Sequence, residues 1–342
     1  MPSKAASSII VFHTKSLFHS DIVLLGAKNT SKGKKRIGGP RGSGGRGKPP
    51  KDGVTDEDDD DESRGQVIIP EPTKFRKQII SLPRPEPYPP VRVCIVEVSD
   101  VEWWNNENNL NPFGAKLWPS GLAVAQFLAN MGSLENYDVL EIGCGNGLSS
   151  IVAAESGARV VASDISQTIL KLTKIGWIET QKERQKRQQK LNIGKENLEN
   201  DGEDGASDDK PMGIIQPGSL NTFNLDIFAD RLLPMSNSAE NKKIVTATAM
   251  MYDSEVAKQL AHRAFEACAR GAWVILGDDD TGEREGGRKL FISELDKVEK
   301  ENGKQFSRVW KQSAVKYQPL QWSDKPVKLL HYNAPPGAKL DF

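Results

Sequence analysis

Cysteine is scarce in this chain of 342 residues: Cys94, Cys144 and Cys268 lie far apart, with no C-x-x-C pair. That excludes a disulfide framework and a thiolate zinc site, and it suits a reducing compartment, cytoplasmic or organellar. Histidine is equally sparse; His13, His19, His262 and His331 are scattered and offer no metal-ligand spacing, so no metal is expected. Long apolar runs are missing as well, which excludes a membrane-spanning helix. Acids are nearly absent from residues 1–51, which hold eleven Lys or Arg and only Asp21, whereas 52–62 hold eight acids and no base. The formal net charge of zero therefore conceals two opposite blocks. Residues 32–51, rich in Gly, Lys, Arg and Pro, have too few apolar side chains to offset the entropy of ordering. The spacing of composition divides the chain into a disordered basic and acidic tail over 1–65, whose acid-poor start has the character of a targeting segment, a lead-in strand and helix over 66–136, and a core over 137–342. A charged, flexible insertion is expected at 192–211. The basic tail alone makes a nucleic-acid partner a poor reading.

What the chain does contain is a strand-turn-helix signature. Tyr137 to Ile142 is an apolar run fit for a buried strand, glycines alternate immediately after it, and Leu148 to Ser156 has helical character. Glycine belongs there because the backbone must turn sharply and admit a ligand without a Cβ in the way. Seventeen residues past Gly147, the run Arg159 to Ser163 ends in Asp164, an acid at the tip of the neighbouring strand able to hold both hydroxyls of a ribose. Dinucleotide sites use G-x-G-x-x-G. Here the order is Glu141-x-Gly143-x-Gly145-x-Gly147. A carboxylate at that point repels a diphosphate and suits the ammonium of a methionine.

This pattern resembles the first motif of the seven-strand S-adenosylmethionine (SAM) methyltransferases, with Asp164 matching their ribose-binding acid. The resemblance implies an α/β fold, a Rossmann-like doubly wound seven-stranded sheet, mostly parallel with the last strand antiparallel. It implies SAM as cofactor, held by Glu141, Gly143, Gly145, Gly147 and Asp164. It further implies that an acid after the third strand, Asp226 at the end of the candidate strand Phe223 to Phe228, bonds the adenine amino group.

Other stretches refine the likeness. Val91 to Val98 has strand character, with Val91, Val93 and Ile95 on one face, after a proline-rich extended stretch at 66–90. Lys116-Leu117-Trp118-Pro119-Ser120-Gly121 opens a helix with Pro119 in its first turn. A Trp-Pro-x-Gly element just before the first motif is similar to the lysine methyltransferase branch, and within it to the electron-transfer-flavoprotein β-subunit lysine methyltransferase group. Lys243 to Ala249 supplies another strand, and Met251-Tyr252-Asp253 matches the later half of that group's following signature, whose aspartate falls here on Ala249. Asp253 or Ser254 is placed to cap the next helix. Gly277-Asp278 partly matches the exit of the fifth strand. By resemblance, Trp118, Tyr252 and Asp253 face the acceptor. The expectation is a SAM-dependent methyltransferase acting on lysine in a protein. A small-molecule N- or O-methyltransferase and a noncatalytic SAM-binding or partner-binding module are the alternatives.

Overall fold

The computed structural model describes residues 11–15, 72–100, 103, 112–199, 215–279, 287–313 and 327–340, with the backbone alone at 11–15, 191 and 193–199. These residues fall in one unit that combines Met1–Leu17 with Pro70–Phe342. Apart from 11–15, the tail expected to be disordered over 1–65 lies outside the described residues.

A seven-stranded sheet has the order β6-β5-β4-β7-β8-β10-β9. Its strands are β4 (Tyr137–Ile142), β5 (Arg159–Asp164), β6 (Ser219–Asn224), β7 (Lys242–Thr248), β8 (Ala272–Asp278), β9 (Arg308–Gln312) and β10 (Lys328–Tyr332). β4 pairs in parallel with β5 and β7, and β10 runs antiparallel to both β8 and β9. The expected doubly wound sheet with its antiparallel last strand is thus present. The chain winds outward from β4 in one direction to β6 and then restarts on the other side at β7, so the strand ends of β4 and β7 flank a topological switch point, where open α/β sheets bind ligands.

Helices cover both faces. α1 (Pro119–Asn130), α2 (Leu148–Glu155) and α3 (Gln167–Glu199) lie on one side; α4 (Ser254–Ala269) and α5 (Gly287–Asn302) lie on the other. The alternation of β4 divides the two cores: Val139 joins Leu122, Ile151 and Ile244, while Leu140 and Ile142 join Leu260, Phe291 and Tyr332. None of the helices among the described residues is long and apolar enough to cross a membrane.

Three placements differ from the sequence expectation. The strand expected at Phe223–Phe228 begins earlier and stops at Asn224, because the Asp226 carboxylate accepts from Phe228 N (2.9 Å) and turns the backbone away from the ladder. α3 continues to Glu199, into the segment expected to be a flexible insertion; the remainder of that segment lies outside the described residues. The lead-in contains two strands, β2 (Phe75–Leu82) and β3 (Val91–Val98), and a third, β1 (Val11–Lys15), from within the tail expected to be disordered, joins them in a separate antiparallel sheet in the order β1-β2-β3. Pro72 and Pro83 bracket β2 without interrupting it. β3 is buried on both faces, with Ile95 in the main core and Val96 and Val98 against Ile169 and Leu172 of α3.

The lead-in sheet also positions the segment before α1. Arg76 of β2 pairs with Glu97 of β3 (2.5 Å), and the other oxygen of the buried Glu97 accepts from Leu117 N (2.8 Å). The sequence neighbour of Trp118 is thereby fixed to β3.

Candidate functional site

A cleft at the strand ends encloses about 900 Å³ of space, the part open to solvent included. Five pieces of chain build it: the turn after β4, the tip of β5, residues 113–121, the exit of β7 and the exit of β8.

The turn after β4 depends on its glycines. Gly143, Gly145 and Gly147 have φ of +65°, +55° and +78°, the left-handed region that glycine alone enters at low cost. Space also excludes a side chain: a Cβ on Gly147 would lie 2.4 Å from Thr173 Cγ2, and one on Gly145 would lie 3.0 Å from the Gly114 carbonyl oxygen. The turn closes with Gly147 N donating to the Cys144 carbonyl (2.9 Å), and α2 begins at once.

Two acids meet this turn. Asp164 accepts from Gly145 N (3.3 Å) through one oxygen and from Ser166 N (2.9 Å) through the other. Glu141 accepts from both the backbone N–H and the hydroxyl of Ser150 in the first turn of α2, so the carboxylate also satisfies a helix donor that no cap side chain reaches. Burial pushes the Asp164 carboxyl up to about 6 and the Glu141 carboxyl up to about 7, the Ser150 bonds opposing the rise in Glu141 and the Asp164 charge adding to it. A cationic group in the cleft would restore both to the ionised form. Asn146, which also lines the cleft, is buried, and its Nδ2 has no hydrogen-bond partner among the described residues. A turn with glycine at every second position, two buried acids and an unsatisfied amide donor fit a cationic ligand that carries its own acceptors.

The opposite wall is aromatic. Phe113 stands 6.3 Å, ring centre to ring centre, from both Trp118 and Tyr252, and Trp118 Nε1 donates to the Phe113 carbonyl (2.9 Å). Phe113 and Tyr252 are among the few exposed large apolar side chains. Between the walls lie Thr248, Ala249 and Met250 from the exit of β7, with Asp278 and Asp279 from the exit of β8.

Of the residues singled out from sequence, Glu141, Gly143, Gly145, Asp164, Trp118 and Tyr252 line this one cleft, and Gly147 closes its turn. Asp226 and Asp253 do not line it. Asp226 is engaged in its own turn, and Asp253 caps α4, accepting from Glu255 N (2.9 Å) and Val256 N (3.0 Å). Sequence reasoning overlooked Phe113, Asn146 and Asp279. Asn146 sits inside the glycine motif and could have been found there; the other two join the cleft only through tertiary packing.

Residues 98–205 match the family model described as lysine methyltransferase. This segment is similar to that family. The family model is broader than the electron-transfer-flavoprotein group and does not single that group out. The chain is 43% identical over 60 residues to protein-lysine methyltransferase METTL21E of Mus musculus, covering 17% of this chain and 25% of that protein. The chain is also 36% identical over 78 residues to a ubiquinone biosynthesis O-methyltransferase of Bordetella avium (strain 197N), covering 23% and 31%. The chain thus spans about a third or less of the length of these relatives. Magnesium protoporphyrin IX methyltransferase from Synechocystis PCC 6803, solved with bound SAM, overlaps 67% of this chain and 86% of its own at 18% identity and a TM-score of 0.35. That overlap is too loose to carry an argument.

Proposed function

We propose that this protein is a SAM-dependent methyltransferase whose acceptor is a lysine side chain in a protein. The observation that carries the reading is the pairing, in one cleft, of a glycine-rich turn flanked by two buried carboxylates with a facing aromatic wall. The lysine methyltransferase family match over 98–205 supports the choice of acceptor.

SAM, when bound, supplies an electrophilic methyl on a sulfonium. The glycine turn would take its backbone-hugging portion, Asp164 the ribose hydroxyls and Glu141 the ammonium, directly or through a water, since one Glu141 oxygen already serves Ser150. Asp226 retains an adenine role only if the 226–229 turn moves toward the cleft.

Transfer to an amine is an in-line displacement. The protein's share is alignment of the two reactants and exclusion of water. A lysine acceptor must shed a proton, from an ordinary pKa of about 10.4. Phe113, Trp118 and Tyr252 give the acceptor arm an apolar lining that favours the neutral amine before transfer, and their faces accommodate the cation afterwards.

The test is calorimetry of SAM binding to the full chain and to Asp164→Ala, followed by labelled-methyl transfer to a protein mixture. Micromolar binding lost in the variant, with label entering lysine, is the expected result. A folded wild type that binds no SAM would sink the reading. The O-methyltransferase likeness gives a second reading in which the acceptor is a small molecule; label entering metabolites and never protein would select it.

A further inference from the structure

A second hollow lies at the opposite end of β3 from the cleft, between that strand and α3. It encloses about 530 Å³, the part open to solvent included, and its lining includes Ile79, Val93, Glu183, Arg92, Arg187 and Lys190. Its position follows from how α3 runs along one face of β3. Val96 and Val98 pack on Ile169 and Leu172 near the start of the helix, and Cys94 N donates to Thr180 Oγ1 (2.8 Å) further along it. Arg92, the next residue on that face of the strand, meets the turn of Glu183 and Arg187. Apolar packing gives way there to cations.

The acids of this stretch are already engaged, Glu179 with Lys77 and Lys182 (both 2.9 Å) and Glu183 with Lys186 (2.9 Å). None of Arg92, Arg184, Arg187 and Lys190 has a carboxylate within 4 Å among the described residues. Glu155, at the end of α2, feels the guanidinium groups of Arg184, Arg187 and Arg84 together. One carboxylate therefore faces three cations, and Arg92 adds a fourth beside Arg187. Burial and then Arg92 hold the Arg187 guanidinium below its ordinary value, and Arg184 adds to the fall. Like charges gathered in a hollow repel one another, and an anion that enters relieves the repulsion.

Resting on the reading above, we propose that this hollow docks an acidic segment of the protein acceptor, the guanidinium forks taking its carboxylates while Ile79 and Val93 cover an apolar side chain among them. Arginine suits that partner because its planar fork matches a carboxylate. A nucleic acid is the poorer fit, since no aromatic side chain among the lining residues offers a base a face to stack on. Arg92 and Val98 are six residues apart on β3, about 20 Å, and Glu97, beside Val98, accepts from Leu117 N at the aromatic wall (2.8 Å). An acceptor held at both places must span at least that length, which a protein does and a metabolite does not.

The experiment uses the full chain at low ionic strength and follows, by fluorescence anisotropy, a capped and labelled peptide of four glutamates around one leucine, with glutamines for glutamates in the control. Wild type should bind the acidic peptide about tenfold more tightly, the combined effect of several exposed ion pairs. Arg92→Glu with Arg187→Glu should abolish the difference. Arg184→Glu with Lys190→Glu should do the same, and serves where the first pair does not fold. Both pairs should leave SAM binding unchanged and lower label transfer to a protein mixture, as should an excess of the acidic peptide. Equal binding of the two peptides, or a preference unchanged in the folded variants, overturns the proposal. So does tighter binding of a single-stranded RNA that the same variants lose, and so does peptide binding seen only after deletion of residues 200–214, which would mean that the chain's own acids fill the hollow. A wild type that binds the acidic peptide but no SAM removes the methyltransferase reading and the acceptor role with it; one that binds SAM and methylates protein without preferring the acidic peptide removes this proposal alone.

Discussion

Ser150 donates both its backbone N–H (2.9 Å) and its hydroxyl (2.5 Å) to one oxygen of Glu141. A single acid thus closes the start of α2 and faces the cleft, and its protonation connects helix and ligand. Glu141 and Asp164 are pushed up to about 7 and about 6 by burial. A carboxyl raised in the fold contributes stability below its ordinary value and loses it as pH rises through the folded value. The ligand-free protein should therefore lose stability from these groups between about pH 4 and pH 7. Binding of a cationic cofactor should tighten over the upper part of that window. Glu141→Gln should flatten both trends, and Ser150→Ala, by removing a bond that favours the ionised form, should move the binding midpoint to higher pH. Calorimetry of SAM binding from pH 5.5 to 8, with melting curves on the same samples, checks each sign.

The glycines should separate by cost. Gly271 has φ +82° with nothing within 4 Å of an added Cβ, so Gly271→Ala isolates backbone strain, about 1 kcal/mol. Gly147→Ala adds a collision with Thr173 at 2.4 Å and should lose a further ~2 kcal/mol. Gly143→Ala meets only the flexible Met250 side chain and should fall between them. Urea unfolding of the three variants gives the ranking; equal losses would mean that the crowding at Thr173 is relieved by small shifts.

Asp253→Ala should cost about 1 kcal/mol through loss of the α4 cap and leave cofactor affinity unchanged, because its carboxylate is spent on Glu255 and Val256 N–H groups. Tyr252→Ala, one residue earlier, should do the reverse: little change in stability at a side chain 37% exposed, and a marked rise in acceptor KM. Denaturation and steady-state kinetics on the pair distinguish a cap from a cleft wall.

His331 is fully buried beside Phe127 (4.8 Å between ring centres) and Trp273 (5.6 Å), and neither ring nitrogen has a hydrogen-bond partner among the described residues. Burial lowers its pKa to about 4. A histidine depressed in this way contributes stability above its ordinary value, near 6.5, which is lost as pH falls through 4. His331→Phe should therefore make the protein more resistant to acid, with the gain over wild type growing from pH 6.5 to pH 4. Melting temperatures across that range decide it.

Local patterns made the centre of the site legible and left its rim obscure. Glu141, the three glycines and Asp164 lie within a short stretch in which strand, turn and strand end follow in order, so spacing alone located them. Phe113 and Asp279 carry no such signal, since Ser120 and Asp279 are 159 residues apart and meet only because α1 packs over the end of β8. Asp226 and Asp253 show the converse limit. Both are acids just past a strand, but an Asx turn and a helix cap claim the same short carboxylate, and spacing cannot tell which use prevails. β2 escaped notice because flanking prolines mask a strand that begins after one and ends before the next.

β1 occupies the side of β2 opposite β3, pairing Val11 with Ser81 through to Lys15 with Lys77. Removal of the N-terminal segment as a dispensable tail would uncover a row of unpaired N–H and C=O groups along β2, a template for strand addition by another molecule. A chain begun at residue 66 should self-associate, its sedimentation shifting with concentration, where the full chain does not.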